Sequence, residues 1–147
     1  MNPMLSGAPS FRGTGVALRR ASADAADSAT GTRYLAGFDT VSADPGFVTS
    51  LKDQAIIVPV DGWYFGTAHV RYSSAVSGYH RMTVNNITTG EVPVLGTQWS
   101  SPTIEAATAG VFYARAGNSL RVGMYTSSSA SFVGGDSNQY YFRVAYL

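Results

Sequence analysis

The sequence predicts an all-β domain, either a sandwich or a barrel, and three observations lead to that fold class. Its apolar stretches are short, rich in Val, Ile, Tyr and Phe, and bounded by Gly, Pro, Asn or Ser, which is the pattern of β-strands. The chain has 147 residues, enough for one hydrophobic core and too few for two. Hydrophobic residues make up 45% of it and charged residues 13%, a composition that favours a folded domain over a disordered chain.

About ten strands are predicted, each bounded by turn residues. They span residues 11–19, 34–38, 47–48, 54–60, 63–72, 80–84, 92–95, 111–114, 119–125 and 140–147. Typical turn sequences between them are Asp44-Pro45-Gly46, Asp61-Gly62 and Ala116-Gly117-Asn118. Pro59 limits its strand to a sheet edge or to a strand end, because proline cannot donate to a ladder. Residues 20–31, rich in Ala, Asp and Ser, have no apolar stripe and are predicted as a surface loop.

The strand at 63–72 carries the strongest signal, and its two faces differ. One face presents Tyr64, Gly66, Ala68, Val70 and Tyr72. The other face changes along the strand from aromatic to polar, through Trp63, Phe65, Thr67, His69 and Arg71. Aromatic side chains beside small ones are typical of a flat surface that another copy of the chain can cover.

Composition and charge exclude several classes of function. Ten basic and nine acidic residues, without a block of either, leave no electrostatic footprint for nucleic acid. Without cysteine, the chain has no disulfides, thiolate nucleophiles or Cys-ligated metals. No stretch approaches the ~20 apolar residues of a membrane span, so we expect no membrane insertion. The first residues have neither a basic leader nor an apolar run, and we expect no cleaved signal peptide.

The residues form no catalytic constellation, so the sequence predicts a protein that is not an enzyme and holds no cofactor or metal. Its two histidines, His69 and His80, lie inside predicted strands, where structural or solvated roles explain them more simply than a triad or a metal site. Glu91 and Glu105 are the only glutamates, and a catalytic carboxylate pair would need a tertiary contact. A calcium site near Asp136 is the weaker alternative, since it has too few carboxylates.

Three stretches carry a resemblance to a known family by their order and spacing. Residues 38–47, followed by 58–65, pass from an early strand through a proline-glycine turn and later into a glycine-aromatic strand. Residues 110–122 form a strand, a glycine turn and a strand, and residues 141–147 form a terminal strand. Together they resemble the trimeric jelly roll of the tumour necrosis factor cytokines and of the globular heads of complement's first component. Asn118 departs from the pattern, which usually has aspartate there.

The resemblance implies a ten-stranded, antiparallel, two-sheet jelly-roll sandwich that forms a homotrimer and binds rather than catalyses. It places Tyr141, Ala145 and Leu147 toward the threefold axis, joined by Thr67. Arg143 has the same parity, where the family usually has a small residue, so its charge requires compensation. We expect the Leu147 carboxylate of a neighbouring subunit to supply it, with an acidic side chain or a solvated Arg143 as alternatives. The opposite face, Phe142, Val144 and Tyr146, is expected to fill the core.

Residues 1–9 are predicted to form an N-terminal docking arm, separate from a single domain at 10–147. Prolines and a glycine oppose regular structure there, while Met4 and Leu5 offer apolar anchors. A frayed terminus is the alternative.

The biological setting is interpreted from the same features. Nine arginines accompany a single lysine, Lys52, and no signal peptide is expected. A bacteriophage virion protein fits, made in the host cytoplasm and displayed on the capsid or the tail, with itself and other virion proteins as partners. The alternative is a receptor- or carbohydrate-binding adhesin module that contacts a host surface glycan, and its candidate ligand contacts are Tyr79 and Trp99.

Overall fold

A computed structural model of the chain describes residues 15–20, 31–43, 47–96, 103–128 and 139–147. Within these ranges the chain forms eleven β-strands: β1 (Gly15–Arg19), β2 (Gly31–Tyr34), β3 (Thr40–Ala43), β4 (Val48–Ser50), β5 (Ala55–Ile57), β6 (Gly62–Val76), β7 (His80–Asn86), β8 (Val94–Leu95), β9 (Thr103–Ala114), β10 (Ser119–Thr126) and β11 (Tyr140–Tyr146). The described part of the chain contains no helix long and apolar enough to cross a membrane.

The strands form two antiparallel sheets that pack face to face. The five-stranded sheet has the order β3-β1-β11-β6-β9. The six-stranded sheet has the order β4-β5-β10-β7-β8, and β2 also pairs with β10. Most neighbours in both sheets are distant in sequence, which is the crossover pattern of a jelly roll. This confirms the predicted all-β, two-sheet jelly-roll sandwich, with eleven described strands where about ten were expected.

The hydrophobic core lies between the sheets, and the alternation of side chains along each strand determines what fills it. On β6, Tyr64, Ala68 and Val70 are fully buried, while Trp63 and the others of its parity face outward. On the last strand, the predicted inward face is confirmed as well: Phe142 and Val144 are buried and Tyr146 packs against the core. The Tyr64 ring contacts three other aromatic rings, those of Phe47, Phe112 and Tyr146.

The predicted strand at 34–38 is wrong, because β2 ends at Tyr34. Gly37 has a φ of 91°, which takes the backbone out of the extended region. The next residue is held by a side chain instead of a strand. Gln54 Oε1 accepts from the Phe38 N–H at 2.7 Å, and Gln54 Nε2 donates to the Phe38 carbonyl at 3.1 Å.

Two further strands differ from the prediction because their residues carry little hydrophobic signal. Strand β3, which was not predicted, is exposed at all four positions and lies at the edge of its sheet beside β1. Strand β9 begins at Thr103 rather than at residue 111. Its first half consists mostly of alanine, threonine and glycine, which lack the bulk typical of strands. Pairing with β6 holds this half in the sheet.

Candidate functional site

The solvent-facing side of the five-stranded sheet, here called the outer face, collects most of the predicted site residues. Across β11 and β6, Tyr141 pairs with His69, Arg143 with Thr67 and Ala145 with Phe65. Leu147, the next residue on this face after Ala145, donates its backbone N–H to the Trp63 carbonyl at 2.9 Å. The predicted interface set, Thr67, Tyr141, Arg143, Ala145 and Leu147, therefore lies together on one face.

One end of the outer face is aromatic and exposed. The Trp63 and Tyr113 rings meet edge to face with their centroids 5.7 Å apart. Their side chains are 56% and 49% exposed, and Val111 beside them is 55% exposed. Phe65 and Leu147 extend the patch. Contiguous exposed apolar patches of this kind mark interaction surfaces in soluble proteins.

Sequence reasoning did not name Trp63, Val111 or Tyr113 as interface residues. The parity of Trp63 with Thr67 was a usable signal on β6. The β9 residues had no such signal, because their position beside β6 depends on a pairing between distant parts of the chain.

A groove of about 400 Å³ crosses the outer face between β1 and β6. Small residues open it, since Gly15, Ala17 and Ala145 leave its floor low, and Phe65 and Arg143 line its sides. Gly15 pairs with Ala145, and Ala17 pairs with Arg143. A groove of this volume is large enough to accept an aromatic side chain.

The other end of the outer face is polar and charged. The Tyr141 ring has two close neighbours here: it stacks on the His69 ring with centroids 5.6 Å apart, and the Arg143 guanidinium lies 4.1 Å from its centroid. His69 Nε2 is 2.7 Å from Glu105 Oε2. Arg143 thus has an aromatic partner within its own chain. Its pairing with a neighbouring subunit stays a prediction.

Of the remaining predicted contacts, only Tyr79 lies within the described residues, and it is not on this face. Tyr79 is 51% exposed in the turn between β6 and β7, where its backbone N–H donates to Ser127 Oγ at 2.8 Å. Trp99 and the docking-arm residues Met4 and Leu5 lie outside the described residues. No cluster of three or more His, Asp or Glu side chains suited to a metal occurs in the described part of the chain.

Two titratable side chains in the core have shifted pKa values. Burial raises the pKa of the Tyr64 hydroxyl to about 12, although its hydrogen bond to the Val60 carbonyl, 2.6 Å long, acts in the opposite direction. Burial lowers the pKa of His80. Both groups are therefore neutral at pH 7 and serve packing.

Comparison with known proteins supports the fold at the level of structure. No family model matches the sequence, and no curated protein matches it. Two crystal structures of murine APRIL match with TM-scores of 0.63 and 0.64 at 13% identity, covering 92% of this chain and 100% of theirs. The structure of Eiger TNF from S. frugiperda matches with a TM-score of 0.62 at 12% identity, covering 92% of this chain and 94% of that one. The chain therefore has a TNF-like jelly-roll fold.

Proposed function

We propose that this protein is a non-enzymatic binding or structural module that acts as a homotrimer, with the outer face turned toward the threefold axis. One observation carries the proposal: an exposed aromatic patch and an open groove lie on the same sheet face. Apolar surface is costly to leave in water, and a second copy of the chain would cover the patch and fill the groove.

Cyclic symmetry explains why the face has two unlike parts. In a ring of three, each contact joins one surface of a subunit to a different surface of the next, and the ring closes when the rotation is 120°. The patch around Trp63 and Tyr113 lies on the β6–β9 side of the sheet, and the groove lies on the β1 side. Turning the patch of one copy into the groove of the next covers both.

The polar end of the face is compatible with the same arrangement. Three Arg143 guanidinium groups near an axis would repel one another, but each lies over the Tyr141 ring of its own chain. Glu105 places a carboxylate on the same face, two strands away. Such charged contacts contribute more to the register of an assembly than to its affinity.

We further propose that the trimer lies on the surface of a bacteriophage particle, as a capsid decoration or a tail component, held by other virion proteins through residues 1–9. The support is the strong excess of arginine over lysine, together with Met4 and Leu5 as apolar anchors in that segment.

Sedimentation velocity and native mass spectrometry at micromolar concentration test the trimer. We expect a single species of three times the chain mass. Trp63→Ser and Tyr113→Ser should each weaken assembly at least tenfold, because each removes an aromatic ring from the interface. The control is Tyr79→Ser, which removes an equally exposed aromatic ring outside the face. A monomeric wild type would overturn the trimer.

Immunogold electron microscopy of the source culture tests the virion assignment separately. An antibody against the chain should label particles at regular positions. Label confined to cell envelopes would contradict the virion assignment and leave the trimer intact.

A further inference from the structure

A second groove lies on the solvent-facing side of the six-stranded sheet, on the sheet opposite the outer face. It has a volume of about 290 Å³ and runs over β2, β10 and β7. We call it the arginine groove. Its main lining residues are Tyr34, Arg81, Thr83, Asn85, Gly123 and Tyr125. Arg121 lies beside it, with its guanidinium 4.6 Å from the centre of the Tyr34 ring.

The groove forms where a glycine lies in the middle of three residues that face one another across β2, β10 and β7. Gly123 pairs with Tyr34 on one side and with Thr83 on the other, and it adds no side chain of its own between them. A Cβ at Gly123 would lie 2.4 Å from both Thr83 Oγ1 and Asn85 Nδ2. Those two atoms form a 2.8 Å hydrogen bond across the glycine, with Asn85 donating. The floor of the groove is therefore polar, although its walls are aromatic.

The two arginines lie on either side of this floor, each level with a position two residues from Gly123 along β10. Arg81 pairs with Tyr125, and Arg121 pairs with Asn85. Both side chains are partly buried, and the Nε atom of each is shielded from solvent and has no hydrogen-bond partner among the described residues. In the same part of the chain, no carboxylate forms a salt bridge with either guanidinium. Arg81 lines the groove and Arg121 lies beside it, so two positive charges lie at one small groove.

We propose that the arginine groove binds an acidic sugar, a pyranose that carries a carboxylate. Guanidinium groups pair with a carboxylate in bidentate geometry and remain charged at every physiological pH. Tyr34 and Tyr125 line the groove and offer apolar surface to the C–H face of a sugar ring. The volume lies at the lower end of ligand pockets and suits one ring at a time.

The polar floor favours a sugar over a simple anion. Asn85 Oδ1 can only accept a hydrogen bond, and the Thr83 hydroxyl can both donate and accept. Sugar hydroxyls supply the donors that Oδ1 needs. An ionised phosphate supplies almost none, and it gains nothing from the aromatic walls.

This inference goes beyond the proposed trimer and does not depend on it, because the groove is built within one chain. In a trimer that buries the outer face, the three grooves would lie on the sheets away from that face. Three weak sites on one trimer then bind a glycan surface more tightly than one site does.

Titration of the isotope-labelled full-length protein by heteronuclear NMR tests the ligand class. The probes are glucuronic acid, N-acetylneuraminic acid, glucose and inorganic phosphate. At least one acidic sugar should shift the amide signals of Gly123, Thr83 and Tyr34 saturably, and at least tenfold more tightly than glucose or phosphate. Which of the two binds tells a uronic acid from a sialic acid. Equal binding of phosphate, or no saturable shift with either acidic sugar, would overturn the proposal.

Matched variants tie binding to the groove. Arg81→Gln and Arg121→Gln should each weaken acidic-sugar binding at least tenfold, whereas Arg115→Gln, an exposed arginine in the β9–β10 turn, should leave it unchanged. Tyr34→Ala should weaken it as well. Thermal unfolding of each variant verifies the fold, and sedimentation verifies the oligomer. Wild-type affinity in folded Arg81→Gln and Arg121→Gln would overturn the site, whatever the oligomeric state.

Discussion

His80 is fully buried, and both of its ring nitrogens are engaged. Nε2 lies 3.1 Å from the Val76 carbonyl, which only accepts, so Nε2 carries the proton. Nδ1 then accepts from the Tyr72 hydroxyl at 3.2 Å. Desolvation of the ring lowers the pKa of His80 below its ordinary value of 6.5, and the bond to Val76 opposes this shift more weakly.

The lowered pKa of His80 predicts a loss of stability in acid. As the pH falls through 6.5, the unfolded chain takes up a proton before the folded one does, so the free energy of unfolding decreases until the pH passes below the folded pKa. Above about pH 7.5 this contribution is constant. Urea unfolding between pH 8 and pH 5 should show the decrease in the wild type and a smaller one in His80→Gln. Equal slopes in His80→Gln and wild type would contradict this account.

Gln54 is held in the left-handed region, with a φ of 55°, and its amide replaces a missing strand partner for Phe38. Gln54→Ala should lower the free energy of unfolding by about 2 kcal/mol, because the N–H and the carbonyl of Phe38 both lose a partner. Gln54→Gly separates the loss of these hydrogen bonds from backbone strain, since glycine adopts a positive φ without strain. It should still lose about 1 kcal/mol in chemical denaturation. A glycine variant as stable as wild type would show that strain, not hydrogen bonding, matters at this position.

At the scale of elements, the pairing of β6 with β9 depends on two facing glycines. Gly66 pairs with Gly110. A Cβ on Gly66 would lie 2.9 Å from Phe112 Cε1, and a Cβ on Gly110 would lie 3.0 Å from Val94 Cγ2. The missing side chains let the Phe112 ring lie over β6, where it stacks on Tyr64 with centroids 6.2 Å apart.

Gly66→Ala should therefore destabilise the fold by about 1–3 kcal/mol, the usual cost of overpacking a core. A smaller side chain opposite should relieve part of that cost. In a double-mutant cycle with Phe112→Leu, measured by chemical denaturation, the loss in the double variant should be smaller than the sum of the two single losses. Strict additivity would mean that the Phe112 ring is not what excludes a side chain at Gly66.

At the scale of the whole molecule, assembly and stability are coupled in the proposed trimer. Folding and association by mass action make the melting temperature rise with protein concentration. Tyr141→Ala should lower the melting temperature and weaken the trimer at least tenfold, because it removes a ring that supports both His69 and Arg143 on the outer face. Calorimetry over a hundredfold range of concentration measures this, with Tyr79→Ala as the control. A melting temperature independent of concentration in the wild type would argue against a trimer linked to folding.

The faces of the long strands were predictable from the sequence, because side-chain alternation is a local property of extended backbone. This alternation separates Tyr64 from Trp63 and places Arg143 on the same face as Tyr141, whatever the order of the strands. The order of strands and turns, by its resemblance to a known family, predicted the two-sheet jelly roll.

The tertiary structure alone decided which distant strands became neighbours. His69 meets Glu105 across 36 positions of sequence, and Gly123 becomes a groove only because Tyr34 and Thr83 lie on either side of it. The edge strand β3 is exposed, and the alanine-rich half of β9 has small side chains. The hydrophobic pattern of their own residues therefore does not predict either strand. Alternation is encoded residue by residue, whereas register, grooves and facing surfaces arise from contacts whose free energy depends on the whole chain packing together.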